Sequence, residues 1–245
     1  MNANREAQDK PSTGGAGSRS ITRADGGLAP LSPRALEERK LIHRNDSVRV
    51  QADAFRELRT KLLAMGQERN FITLVAPVQR GCGGSFVARN LAAAFAFDET
   101  KTALLVDCDA LHPAQQSALG VDADRGVMDY LEGTVAELGD IQYETGLPRL
   151  RLIPSGRSRE TTGEHFSSTR MRVMIDSLRG THPNRYLILD SPPVLNSPDA
   201  RILSELADLI VVVAGYGQVT PDAIEKAASA FDPEKVAGVV FNNLY

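Results

Sequence analysis

Continuous apolar runs alternate along this chain with segments whose apolar residues recur every three or four positions. The continuous runs predict strands at 71–76, 102–107, 150–153, 186–190, 208–214 and 236–242. The helical periodicity predicts helices at 52–65, 85–97, 126–132, 167–180, 198–207 and 220–231. Runs such as Leu187-Ile188-Leu189 have no polar position, so both faces of these strands are expected to be buried. The pattern predicts an α/β fold in which helices cover both faces of a mostly parallel central sheet.

The first 45 residues lack this periodicity and are rich in Gly, Ser, Pro, Arg and Ala. Such a stretch buries too little apolar surface to offset its conformational entropy. We therefore predict a disordered N-terminal arm over 1–45 and one folded domain over 46–245. The arm is mildly basic, and we interpret it as a solvated linker, with contact to anionic lipid or to a partner as the alternative.

Composition narrows the class of protein. A net charge of −3 over 245 residues argues against a general nucleic-acid binder, and two cysteines give neither a disulfide framework nor a zinc site. No apolar run is long enough to span a membrane, and the N-terminus has no secretory signal. These features favour a cytoplasmic protein.

The segment from Ala76 to Ser85 lies between the first predicted strand and a helix, as a phosphate-binding loop does. A Walker A loop reads G-x-x-x-x-G-K-[ST], and Gly83 and Ser85 occupy their expected places. The lysine, which places a positive charge on the β- and γ-phosphates, is replaced by Gly84. The residues predicted to bind nucleotide here are Arg80, Gly81, Cys82, Gly83, Gly84, Ser85 and Phe86.

Acidic residues end two other strands, at the edge of the sheet where ligands bind in open α/β folds. Asp107 and Asp109 follow one strand, and either can orient a metal-bound water or accept a proton. The alternative for Asp109 is that it caps the following turn. Asp190 ends an apolar run as a Walker B acid does, which predicts a magnesium site with the Ser85 hydroxyl. Asn242 ends the last strand, where it either contacts the adenine edge or simply terminates the strand.

Six landmarks spread over nearly two hundred residues give the chain a specific resemblance. They are Phe55-Arg56-Glu57-Leu58-Arg59-Thr60, Ser85 with Asn90-Leu91-Ala92, Leu105-Val106-Asp107-Cys108-Asp109, Ser167-Ser168 with Arg170-Met171, Asp190-Ser191-Pro192-Pro193-Val194 with Asp199-Ala200, and Gly238-Val239-Val240-Phe241-Asn242. From about 55 to 243 the chain resembles the cytoplasmic domain of the bacterial tyrosine kinases (BY-kinases) of exopolysaccharide and capsule systems. These belong to the MinD and ParA branch of P-loop proteins, so the resemblance implies a P-loop NTPase-like fold.

The resemblance also implies roles for individual residues. Ser85, Asp107 and Asp190 are expected to organise Mg²⁺, and Asp107 and Asp109 to serve in catalysis, one as general base. Family members carry an E-x-x-R-x-x-R helix that packs into the neighbouring subunit of a ring. Here that helix reads Asp53-x-x-Arg56-x-x-Arg59, for which a solvated helix face is the alternative.

Departures from the family pattern predict a weakened reaction. Besides Gly84, Cys82 and Arg80 replace an acidic or small residue and a proline, and the sequence shows one tyrosine, Tyr245, in place of a tyrosine-rich tail. Arg80 is a candidate to replace the lost charge, whereas Arg89 is expected to point away from the site. Binding of Mg²⁺ and of ATP or ADP is expected to be weakened or absent.

Three hypotheses follow. The first is a degenerate BY-kinase homologue that regulates exopolysaccharide synthesis or export as the cytoplasmic partner of a membrane polysaccharide co-polymerase, at the periphery of the inner membrane. The second is an active autokinase or ATPase with an atypical loop. The third is a MinD- or ParA-like positioning ATPase.

Overall fold

A seven-stranded sheet forms the centre of the protein in a computed structural model that describes residues 30–43, 49–67, 70–156 and 163–243. Its strands are β1 (Ile72–Pro77), β2 (Thr102–Asp107), β3 (Tyr143–Glu144), β4 (Leu150–Ile153), β5 (Arg185–Asp190), β6 (Leu209–Gly215) and β7 (Val236–Asn242). Their order across the sheet is β3-β4-β2-β5-β1-β6-β7. All neighbours pair in parallel except β3 and β4, which are antiparallel.

Helices cover both faces of this sheet. The helices are α1 (Pro33–Glu38), α2 (Arg49–Met65), α3 (Gly84–Ala96), α4 (Gln115–Leu119), α5 (Val127–Leu131), α6 (Gly163–Phe166), α7 (Thr169–Gly180), α8 (Asp199–Ser204) and α9 (Pro221–Ala228), and a 3₁₀ turn lies at Leu138–Ile141. Buried residues of α1 to α4 pack on one face, and those of α5 to α9 pack on the other. The predicted α/β fold with a mostly parallel sheet is confirmed.

The central strands are buried because helices flank them on both sides. Every residue of β1, β5 and β6 is buried, which explains why their sequences are continuous apolar runs. The carboxyl ends of β1, β2 and β5 lie side by side, so the residues that follow them converge. None of the helices in the described ranges is long and apolar enough to span a membrane.

The N-terminal region corrects the predicted boundary of the arm at residue 45. Residues 30–43 are ordered: Ser32 caps α1 by accepting a hydrogen bond from the Ala35 amide at 3.3 Å, and Leu36, Leu41 and Ile42 are buried in the core. Local composition cannot reveal this order, because it comes from apolar contact with helices distant in sequence. Residues 1–29 and 44–48 lie outside the described residues.

Asn90 in the middle of α3 anchors this N-terminal segment. Its side chain is fully buried, accepts a hydrogen bond from the Ile42 amide at 2.8 Å and donates to the Lys40 carbonyl at 3.0 Å. It also donates to the Phe86 carbonyl of its own helix at 3.0 Å. The Asn90-Leu91-Ala92 landmark therefore includes a residue that ties the entering chain to the helix that begins at the loop.

We expect Asn90→Ala to lower the free energy of unfolding by about 2–4 kcal/mol, because the buried Ile42 amide and the partly buried Lys40 carbonyl lose their partner. Urea denaturation measures this change, and limited proteolysis should show cleavage within 30–43 in the variant. Asn196→Ala, at an exposed position, is the control and should leave both unchanged. Equal stability of the Asn90 variant and the wild type would contradict the anchoring role.

Candidate nucleotide-binding site

The loop between β1 and α3 has the backbone of an anion cradle. Gly81 and Gly83 adopt φ angles of +88° and +83°, which favour glycine, and α3 begins immediately afterwards. The amide of Val87 donates to the Gly83 carbonyl at 3.0 Å, and the amides before it are the first N–H groups of the helix. A helix N-terminus leaves such groups without intrahelical partners and favours negative charge. The loop is therefore suited to hold phosphate oxygens.

The position of the missing lysine is closed sterically. A Cβ atom on Gly84 would lie 2.7 Å from Cγ, 2.8 Å from Cδ and 2.9 Å from Cβ of Pro77. These distances are too short for carbon contacts, and a proline ring has little freedom to move away. Pro77, at the end of β1, therefore occupies the space that a side chain at position 84 would need. Sequence reasoning found Gly84 but missed its contact with Pro77, which only the folded loop brings together.

Asp107 and Asp190 lie on adjacent strands, opposite each other in the register of β2 and β5, and both are fully buried. Both oxygens of Asp107 accept hydrogen bonds from the main chain. Oδ1 accepts from the Asp109 amide at 3.2 Å, and Oδ2 accepts from the amides of Ala114 and Gln115 at 3.0 and 2.9 Å. Asp107 therefore holds the N-terminus of α4 in place.

Asp190 is bonded by a side chain that the sequence did not single out. Gln115 is fully buried, and its Nε2 donates to Asp190 Oδ2 at 2.6 Å and to the Ser85 carbonyl at 2.9 Å. Asp190 Oδ1 and Gln115 Oε1 are buried without hydrogen-bond partners. The sequence offered only a glutamine a few residues beyond the acidic pair, and its reach to Asp190 depends on Asp107, which fixes the start of α4.

Burial raises the pKa of both carboxyl groups. Desolvation is the main cause for Asp107, whose pKa lies well above its usual value, and the nearby charge of Asp190 adds to the effect. Desolvation also raises the pKa of Asp190, to about 6, although hydrogen bonds from Gln115 and Ser85 oppose the change. Two carboxyl groups this close cannot both ionise cheaply.

Asp109 lies at the rim of the same cleft. Its Oδ1 accepts a hydrogen bond from the His112 amide at 3.1 Å, which is the turn-capping contact given above as the alternative. A catalytic role for Asp109 stays a prediction.

Two arginines near the loop differ in their orientation. Arg80 is exposed, and its Nη2 lies 2.6 Å from His112 Nδ1. Arg89 is mostly buried, with Cζ 5.3 Å from the centre of the Phe86 ring. Burial lowers the pKa of Arg89, and the charge of Asp190 opposes this change. The expectation that Arg89 points away from the site stays a prediction.

The remaining predicted residues lie in two places. Asn242 is buried and its Nδ2 donates to the Cys82 carbonyl at 3.1 Å, so it fastens the end of β7 to the loop. On α2, Asp53 and Arg56 form an exposed ion pair at 2.8 Å, whereas Arg59 donates to the Ala94 carbonyl of α3 at 2.7 Å. Contact with base and with a neighbouring subunit stay predictions, and Tyr245 lies outside the described residues.

The chemistry of these residues fits a magnesium ion that is also held by phosphate and water. Mg²⁺ in nucleotide sites is bound by one or two protein oxygens and keeps several waters. Asp190 Oδ1 is an orphaned acceptor, and the Ser85 hydroxyl lies beside the same carboxyl group. Within the described ranges no group of three or more His, Cys, Asp or Glu side chains forms an all-protein metal site.

Comparison with known proteins agrees with a nucleotide-binding site at this end of the sheet and identifies the family. No protein-family model matches the chain. It is 30% identical over 193 residues to the tyrosine-protein kinase CpsD of Streptococcus agalactiae, covering 78% of this chain and 82% of the relative. The chain belongs to the bacterial tyrosine-protein kinase family.

Solved structures agree with this family membership. The BceF tyrosine kinase domain superposes with a TM-score of 0.71 at 27% identity, covering 89% of this chain and 93% of that domain. The cell division ATPase MinD of Pyrococcus furiosus shares the fold, with a TM-score of 0.59 at 23% identity over 71% of this chain and 72% of that chain. The predicted resemblance to BY-kinases within the MinD-like P-loop fold is confirmed.

The raised pKa values predict how stability depends on pH. The folded protein binds the proton of Asp190 more tightly than the unfolded chain, whose pKa is near 3.8, so this stabilisation is present below that pH and is lost as pH rises through about 6. We expect Asp190→Asn to gain on the order of 2 kcal/mol of stability relative to wild type between about pH 4.5 and about pH 8. Urea denaturation at both pH values measures it.

Asp222→Asn, at an exposed site on α9, is the control and should show a nearly constant difference from wild type. A constant difference for Asp190→Asn as well would mean that the Asp190 carboxyl titrates normally in the folded protein.

Proposed function

We propose that this BY-kinase family member has lost efficient phosphoryl transfer and acts as a regulatory subunit of an exopolysaccharide or capsule system. The observation that carries the proposal is that the Pro77 ring fills the space that a Cβ atom at position 84 would need. A chain whose only change was loss of the lysine would keep room for a side chain at position 84. Here a proline ring fills that room.

The missing lysine charge would weaken both the binding of phosphate and the rate of phosphoryl transfer. A hydrogen bond to a charged group contributes about 1.5–3 kcal/mol. A preorganised electrostatic donor contributes about 10²–10³ in rate, because charge develops in the transition state. The amides at the start of α3 still favour phosphate, so weak binding of ADP or ATP persists while turnover falls. Mg²⁺, when bound at Ser85 and Asp190, would offset phosphate charge.

The regulatory role rests on family membership. The proposed partner is a membrane polysaccharide co-polymerase, which would place this protein at the cytoplasmic side of the inner membrane. The exposed Asp53–Arg56 pair on α2 is the proposed contact for a homo-oligomeric ring. Membership in the tyrosine-protein kinase family also disfavours a MinD- or ParA-like positioning role, since the likeness to MinD extends to the fold alone.

The alternative is an active autokinase in which Arg80 supplies the charge. Arg80 is the loop's own cation, and its contact with His112 lies at the exposed rim of the cleft, so it must leave His112 to reach a phosphate. This alternative requires an activity that Arg80→Ala abolishes.

An autophosphorylation assay with labelled ATP and the purified full chain distinguishes the two. We expect no labelling above that of Asp107→Ala, and no effect of Arg80→Ala. Tyrosine phosphorylation by the wild type that is lost in Asp107→Ala would overturn the proposal, and additional loss in Arg80→Ala would establish the alternative.

A second experiment tests the steric argument directly. We expect Gly84→Lys alone to lower stability and leave ADP affinity unimproved, because its Cβ meets the Pro77 ring. We expect Pro77→Gly combined with Gly84→Lys to bind ADP about 10-fold or more tightly than wild type in calorimetry, since the charge-assisted contact is restored. Pro77→Gly alone is the matched control for the removal of the ring. Equal gains from the single Gly84→Lys variant would contradict the closed position.

A further inference from the structure

The metal side of the cleft, formed by Ser85, Asp107 and Asp190, contains a contact that the resemblance to BY-kinases does not explain. Gln115 sits at the first position of α4, where its own amide is held by Asp107 Oδ2 at 2.9 Å. From there its side chain reaches Asp190 Oδ2 at 2.6 Å and the Ser85 carbonyl at 2.9 Å. One side-chain amide thus connects the Walker B acid to the first turn of the loop helix.

This contact is short and fully enclosed. Gln115 and Asp190 have no exposed surface, and a 2.6 Å bond to a carboxylate is among the stronger hydrogen bonds in proteins. Asp107 fixes the backbone of Gln115, so the amide cannot retreat by moving the helix start without breaking those bonds as well. The Gln115 amide therefore stays on the carboxylate unless something displaces it.

The unpaired atoms show what the contact leaves unsatisfied. Asp190 Oδ1 and Gln115 Oε1 are both buried acceptors without a hydrogen-bond partner among the described residues. Oδ1 of Asp190 remains open to a divalent cation, but a cation that binds through Oδ2, or through both oxygens, must first displace the amide N–H of Gln115. The cost of breaking that bond is subtracted from the affinity for the cation.

We propose that Gln115 is a positioning residue that keeps Oδ2 of Asp190 from divalent cations, leaves them Oδ1 alone, and so weakens the Mg²⁺ dependence of nucleotide binding by this protein. This inference deepens the proposed function, since it assumes that the cleft is the nucleotide site. Gln115 would weaken binding of the cation, as Pro77 and Gly84 would weaken binding of the phosphate groups. The bond to a charged group predicts a penalty of about 10-fold to 100-fold in cation affinity.

The test uses Mn²⁺ as the probe, because free Mn²⁺ is counted directly by electron paramagnetic resonance. The full chain is titrated without nucleotide, as wild type and as Gln115→Ala. We expect the dissociation constant for Mn²⁺ to fall by about 10-fold to 100-fold in the variant. An unchanged constant would overturn the proposal, and weaker binding would overturn it by showing that Gln115 is itself a ligand.

Gln116→Ala is the matched control. Gln116 is the next residue of α4, and its amide donates to the Ala123 carbonyl at 2.7 Å rather than to the cleft. It should leave the Mn²⁺ titration unchanged. Gln115→Leu, which keeps most of the side-chain volume, repeats the measurement in case the alanine variant is poorly folded, with circular dichroism as the check.

A nucleotide titration completes the test and separates it from the proposed function. We expect the ADP affinity of the wild type to change less than about twofold between Mg²⁺ and EDTA, and that of Gln115→Ala to become stronger in Mg²⁺. Strong Mg²⁺ dependence in the wild type would contradict the role of Gln115. Phosphorylation by the wild type would instead overturn the proposed function, whatever the Mn²⁺ titration shows.

Discussion

Two buried carboxyl groups on neighbouring strands impose the main constraint on this end of the molecule. Asp107 and Asp190 lie opposite each other in the register of β2 and β5, where water cannot solvate them. Each group must be protonated or receive hydrogen bonds from the chain. The start of α4 meets this need with two backbone amides and the Gln115 side chain. The position of α4, the contact with Ser85 and the shape of the cleft all depend on this arrangement.

The two halves of the cleft compare differently with the family pattern described above. On the phosphate side a charge is gone and Pro77 fills the space beside Gly84, so the change is steric. On the metal side both acids are present and accept hydrogen bonds from the chain itself, although Oδ1 of Asp190 has no partner. The geometry of the loop survives because glycine φ angles and the Asn242 bond to the Cys82 carbonyl maintain it without any ligand. The shape of this loop therefore depends on contacts other than those of Asp107 and Asp190.

The sequence predicts the sheet and its main helices well because the strands are buried on both faces and read as continuous apolar runs. It also places Ser85, Asp107 and Asp190 together, since the carboxyl ends of parallel strands share one edge. It does not predict the ordered segment at 30–43, the contact of Pro77 with Gly84, or the reach of Gln115. Each of these depends on distances between residues far apart in the chain, and neither periodicity nor motif spacing encodes such distances.

Through Asn90, helix α3 connects the loop at its own start with the N-terminal segment 30–43. The helix begins at the loop, and halfway along it the Asn90 side chain grips the backbone of Lys40 and Ile42 through two hydrogen bonds. Separation of residues 30–43 from the body would break these two bonds to the helix whose first turn belongs to the candidate nucleotide site. The N-terminal segment 30–43 and the loop are thus connected through Asn90 and the first half of α3.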